Sequence, residues 1–234
     1  MPTLVERAVA LPFRAGSTLR GARIFHPEGF LCDGEWAIER GSPIAPGAEA
    51  LRAGARHRVL ARVSRGAGLP DTLPDFYAVA VRLVDAYGPG AHQDLLINAS
   101  SGLPVLHHLF LPAPRWYAQT YSTCLPYRAG AGLFVLGLLP PAERGPGPSQ
   151  GAMRAAVAAG VAFGIALAPP FGRFSRVGTL RLHSPHPEGD DTPYDPWNTG
   201  GGLEPATWLN RVRREAYAQS RRGRGVKRAI PDQV

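Results

Sequence analysis

Arg213 and Tyr217 stand four residues apart in the stretch LNRVRREAYAQSRRGRG at 209–225. On a 3.6-residue period they share one helix face with Leu209, Val212 and Ala216, while Arg211, Arg214 and Glu215 fall on the other side, where a solvated charged stripe belongs. A guanidinium set one turn from a phenol in an apolar stripe favours the phenolate. Holding a phenol of ordinary pKa near 10 as phenolate at pH 7 costs roughly 4 kcal/mol, so such a pairing calls for a chemical reason. The same spacing also arises when Arg213 carries its charge to the helix edge and Tyr217 simply packs. Spacing alone leaves both open.

Other reactive side chains are less suggestive. His107 and His108, in PVLHHLFL, read as neighbours in mid-strand facing opposite ways, so they cannot both ligate one metal; one of them lining the pocket is the alternative, and a satisfied core histidine the simpler expectation. His183 and His186 flank Pro185 in a loop with no ligand partners nearby in sequence. Trp116, Tyr121 and Tyr127 read either as packing residues or as radical-relay bystanders, and the sequence does not decide between them. The run TGGGLEP lacks the strand-then-helix setting of a phosphate cradle. Cys32 and Cys124 are far apart and form no C-x-x-C pair, so neither a disulfide nor a zinc site is expected, and a reduced, cytoplasmic setting is.

Mainly β elements must position these groups. Short strand-like runs dominate: RIFHPEG, GEWAIER, HRVLARVS, FYAVAVRLVDA, QDLLINAS, PVLHHLFL, LFVLGLL, FGIALAP and VGTLRLHS, separated by Gly, Pro, Asp or Ser. In HRVLARVS, Val59, Ala61 and Val63 alternate with Leu60, Arg62 and Ser64, the period of a strand with one buried face. This many strands predicts an antiparallel β-barrel with a few helices. Helices are expected over about residues 150–161, capped by Ser149, and from Pro205 to about Arg222. Residues 1–222 read as one domain and 223–234 as a basic, disordered tail.

The net charge of +8 invites a nucleic-acid reading, but much of the excess sits in RRGRGVKR at 221–228. No zinc-finger spacing, RNP aromatic motif or GXXG loop accompanies it, so no specific nucleic-acid partner is expected. The start of the chain, MPTLVERAVALPFRAG, lacks the order of a signal peptide, and AAVAAGVAFGIALAPP is too short and too rich in Ala and Gly to cross a bilayer. No membrane partner is expected.

Five collinear segments carry a resemblance to haem catalases. An Arg-x-x-x-Tyr pair on a helix after a barrel is similar to their proximal ligand motif, here Arg213 and Tyr217. RIFHPEGFLCDGEW resembles the segment with an arginine three residues before the distal histidine, here Arg23 and His26. ARVSRGAG resembles the next strand, whose arginine and serine match Arg62 and Ser64. DTLPDFYAVAVRLVD is similar to the strand after it, and DLLINASSGLPVL to the segment whose distal asparagine lies four residues after an aspartate, here Asn98 after Asp94. The resemblance runs from about residue 20 to 220 and extends to a group of short actinobacterial catalase-like proteins.

The resemblance implies haem b, with Tyr217 as the axial ligand of ferric iron and Arg213 supporting the phenolate. It assigns His26 and Asn98 to the distal side, Ser64 to orienting His26, and Arg23 and Arg62 to the propionates. It implies a peroxidase with weak catalase activity, taking hydrogen peroxide or organic hydroperoxides with a small-molecule reductant. Against full-length catalases the chain would lack the N-terminal arm, wrapping segment and C-terminal helical domain, a Phe-Phe pair at the distal wall, and the Asp that Gln219 replaces. A wider, wetter pocket and a smaller assembly, such as a homodimer, are therefore expected. Two other functions fit the same residues: a haem-dependent rearrangement or oxidation of a specific small molecule, as in allene oxide synthase, and non-catalytic binding of haem or a polyanion.

Overall fold

The computed structural model describes residues 28–66, 70, 73–143, 145–187 and 192–206. Its strands are β1 (Glu28–Ile38), β2 (Arg56–Arg65), β3 (Tyr77–Leu83), β4 (Gln93–Ala99), β5 (Tyr121–Ser122), β6 (Tyr127–Ala129), β7 (Gly132–Leu139), β8 (Val161–Ala168), β9 (Ser175–Pro185) and β10 (Glu204–Pro205). Strands β1 to β5 follow one another around the sheet; β7 then pairs with β5 and β8, and β9 joins β8 back to β1. These eight strands form a closed antiparallel barrel, so each is paired on both sides and none presents a bare edge. The short strands β6 and β10 extend the sheet beside β7.

The alternation read in β2 is realised on its inward face, while Arg62 and Ser64 on the other face are buried as well. Val59, Ala61 and Val63 are buried in the core, where Val79, Val81, Leu95, Ile97, Leu138, Phe163 and Ile165 join them. An interior of eight strands is just wide enough to be filled by side chains, so this is packed core rather than a channel. Trp116, Tyr121 and Tyr127 belong to it, with the Trp116 and Tyr121 rings 5.8 and 6.1 Å from that of Phe163. Cys32 and Cys124 are both buried, and neither is in a disulfide.

The helix α1 (Gln150–Ala158) starts where expected: the Ser149 hydroxyl accepts a hydrogen bond from the Ala152 N–H at 3.2 Å. Met153 and Val157, four apart, form its buried face, and Gly160 at φ +84° ends it.

Two elements differ from the sequence expectation. PVLHHLFL is not a strand: Leu106–His108 form a 3₁₀ turn entered through Val105 at φ 68°. Pro205 does not open a helix, because β10 pairs Glu204 and Pro205 with Arg128 and Tyr127 of β6, and Ala206 N–H donates to Pro126. A proline suits such an edge position, where no donor is needed. Residues 207–222, including Arg213 and Tyr217, lie outside the described residues, as do Arg23 and His26.

Residues 192–206 form a strap over the outer wall. Arg82 on β3 donates to both carboxylate oxygens of Asp94 on β4 at 2.7 and 2.6 Å, and to the Pro193 carbonyl at 2.8 Å. Asp94 in turn accepts from Asp195 N–H, and its own N–H donates to the Asn198 carbonyl. The Arg82 guanidinium lies over the Tyr194 ring, and the Tyr194 hydroxyl donates to the Leu60 carbonyl on β2. Burial pulls the Arg82 guanidinium down, but the hydrogen bond and charge of Asp94 outweigh it and hold the group above its ordinary value.

Candidate functional site

The register of the barrel lines up one row of small and polar residues. Gly29 on β1 is opposite Ser64, Ser64 opposite Ala78, Ala78 opposite Asn98, Asn98 opposite Ser122, and Ser122 opposite Gly137. Their neighbours Val63, Val79 and Ile97 fill the interior, so the row faces outward. Adjacent strands lie about 4.8 Å apart, which puts Ser64 and Asn98 about 10 Å apart on one wall. Among the described residues, neither the Ser64 hydroxyl nor the Asn98 amide has a hydrogen-bond partner. Ser64 is buried and Asn98 half-buried.

The two ends of the row are walled. Arg62, two residues from Ser64 on the same face, is 7% exposed and lies over Gly29: a Cβ there would come within 2.8 Å of the guanidinium carbon and 2.6 Å of the Val63 carbonyl oxygen. Only glycine admits that approach. At the other end the Phe174 ring covers Gly137, where a Cβ would meet it at 2.6 Å.

His107 lies beside Phe174, with ring centroids 5.3 Å apart, and is fully buried. Contrary to the opposite-faces expectation, His108 is beside it, with ring centroids 4.5 Å apart, and both histidines bring Nε2 to the Pro170 carbonyl, at 2.9 and 2.6 Å. A strand would have separated them; the 3₁₀ turn brings them together. A carbonyl can only accept, so His107 carries its proton on Nε2 and leaves Nδ1 as a bare acceptor, buried without a partner. No spacing rule flagged this pair, because its partner residues Phe174 and Pro170 are distant in sequence. His183 and His186 are elsewhere: His186 Nε2 is 3.1 Å from Asp33. Among the described residues no group of three or more His, Cys, Asp or Glu is placed to hold a metal.

Burial pulls His107 below its ordinary value of 6.5, with the Pro170 carbonyl opposing and His108 adding to the shift. Burial does the same to His57. Both take up a proton less readily folded than unfolded, so below about pH 6.5 the unfolded chain binds more protons and stability falls with the pH. Urea unfolding at about pH 7.5 and about pH 5.5 should show the loss, and it should be smaller in His107→Gln. An equal loss in that variant would take His107 out of the account.

The barrel has close counterparts in solved structures. A bacterial catalase superposes with a TM-score of 0.64 at 14% identity, covering 88% of this chain and 58% of that one. A fungal catalase gives 0.67 at 15%, covering 87% and 59%, and catalase A from Saccharomyces cerevisiae gives 0.66 at 13%, covering 88% and 61%. The fold is catalase-like. The chain spans 58–61% of the length of these catalases. No protein-family model matches it, and no curated protein does.

The outer wall of this catalase-like barrel suits a flat, anionic macrocycle. Small residues leave the row smooth, Ser64 and Asn98 have no side-chain partner among the described residues, and Arg62 is a sheltered cation on the same face. No helix among the described residues is long and apolar enough to cross a membrane.

Proposed function

We propose that the chain binds haem b against the row Ser64–Ala78–Asn98 and uses peroxide as an oxidoreductase, a peroxidase with weak catalase activity. The observation that carries this reading is the register itself. It brings Arg62, Ser64 and Asn98, matched to catalases one by one in the sequence, onto one face of a catalase-like barrel, with the two polar groups lacking a side-chain partner among the described residues. Tyr217 would hold the iron with Arg213 beside it, and Arg62 and Arg23 would pair with the propionates. The group would supply a redox-active ferric centre at which a peroxide O–O bond is broken.

The chain's own groups handle the proton. His26 would take a proton from one peroxide oxygen and return it to the other, which then departs as water rather than hydroxide. Ser64 orients the His26 ring, and the Asn98 amide holds the peroxide by a hydrogen bond without transferring a proton.

The roles predict an ordered pair of losses. His26→Ala should keep haem and slow the reaction with peroxide by about 10²–10⁴-fold. Asn98→Ala should cost less, about 1–3 kcal/mol, the scale of one buried hydrogen bond. A Soret band on haem titration followed by stopped-flow mixing with peroxide measures both. Absence of the Soret band would end the haem reading, and equal losses in the two variants would merge the assigned roles. Oxygen release compared with dye oxidation then separates catalase from peroxidase activity.

A further inference from the structure

The end of β4 carries an apolar surface that hydrogen peroxide has no use for. Of the nine large hydrophobic side chains exposed among the described residues, Leu103, Val105, Leu106, Leu109 and Phe110 fall within one loop. Phe171, at 77% exposure, stands beside it, its ring 6.3 Å from that of His108. Soluble proteins rarely gather exposed apolar side chains this densely without a ligand or partner to cover them.

The loop is fastened to the candidate site. The Ser100 hydroxyl donates to the Leu109 carbonyl at 2.7 Å, and Leu111 N–H donates to the Ala99 carbonyl. Ser100, just past the end of β4, follows Asn98 by two residues, about 7 Å further along the chain. The loop also holds backbone strain: Val105, β-branched, sits at φ 68° and ψ −47°, outside the conformations such residues ordinarily adopt. That turn sends His107 inward against Phe174 and leaves Leu106 and Leu109 outside. The result is polar groups on the wall and a hydrocarbon lip next to them.

We infer that the lip takes the hydrocarbon chain of an amphipathic ligand whose oxygen head group lies at Asn98. Resting on the peroxide reading above, that ligand is an alkyl hydroperoxide. The continuity of lip and wall selects this occupant: one molecule with a hydrogen-bonding head and an apolar tail spans both, whereas hydrogen peroxide reaches only the wall. Each methylene laid on apolar surface is worth about fourfold in affinity, so chain length is the discriminating variable.

The test uses straight-chain 1-alkanols from butanol to octanol, whose hydroxyl stands in for the hydroperoxide, titrated into the full chain and followed by calorimetry and methyl NMR. Affinity should rise about fourfold per carbon until the lip is covered. Leu106→Asp and Phe110→Asp should each flatten the series, and both sites are exposed enough to accept a charge without unfolding the protein. Leu133→Asp, an exposed apolar residue on β7, is the control and should leave the series intact. No dependence on chain length, or the same dependence in the two lip variants as in wild type, would overturn the inference. Haem titration of the same samples separates the two readings. A chain-length series without a Soret band removes the peroxide but keeps the amphipathic site. A Soret band without the series removes the lip alone.

Discussion

Asp94→Ala should destabilise the fold by about 3–5 kcal/mol, the usual cost of leaving one partner of a buried ion pair alone. Asp94 is fully buried and Arg82 is 13% exposed. Removing the carboxylate strands a desolvated guanidinium, takes away both of its hydrogen bonds to the acid, and leaves Asp195 N–H without its acceptor. The strap would loosen first, because two of the contacts that hold its start, Arg82 to Pro193 and Asp94 to Asp195, depend on this pair. Urea unfolding gives the magnitude, and hydrogen exchange at 192–206 gives the location. The exposed pair Arg176–Glu39, with side chains 52% and 48% exposed, is the comparison: Glu39→Ala should cost about 0.5 kcal/mol or less. Unchanged exchange in the strap of the Asp94 variant would show that the pair does not anchor it. The double variant Arg82→Met with Asp94→Leu should recover part of the loss, since it removes the stranded charge along with the pair.

Tyr217→Phe should abolish tyrosinate-ligated haem, the largest functional loss expected. Under the proposed function the Tyr217 oxygen would hold the iron, and phenylalanine keeps the ring without the donor. Arg213→Ala is the finer measurement. The nearby guanidinium favours the phenolate, so its loss makes the oxygen easier to protonate. As the pH is lowered from about 8, the Arg213 variant should lose tyrosinate character at a higher pH than wild type, while Arg214→Ala, which falls off the apolar stripe on a 3.6-residue period, should behave as wild type. Resonance Raman of the iron–phenolate bands across a pH series reads all of this. Bands surviving in Tyr217→Phe would sink the ligand assignment. Coincident profiles for Arg213→Ala and Arg214→Ala would return Arg213 to the helix edge.

Arg62, Ser64 and Asn98 share one wall, and the barrel that carries them is catalase-like. Arg23, His26, Arg213 and Tyr217 lie outside the described residues and stand on their sequence matches. Gly29 and Phe174, which frame the wall, carried no signal in the chain: a glycine that must admit a guanidinium looks like any other until its opposite strand is known.

What the chain determines by itself is local periodicity. Strands β2, β3, β4, β7, β8 and β9 were legible because alternation is written residue by residue, and α1 was legible because Ser149 caps it through its own neighbours. The barrel followed from their number. Tertiary structure decided what depends on distant partners. PVLHHLFL has the apolar content of a strand, yet Ser100 hydrogen bonds and the Pro170 carbonyl hold it as a turn that gathers His107 and His108. Pro205 suits a first helical turn, yet β6 captures it as a strand edge. Strands of two residues, such as β5 and β10, are too short to show a period at all. The register that turns Ser64, Ala78 and Asn98 into one wall is set by pairing between strands, which no spacing within a strand encodes.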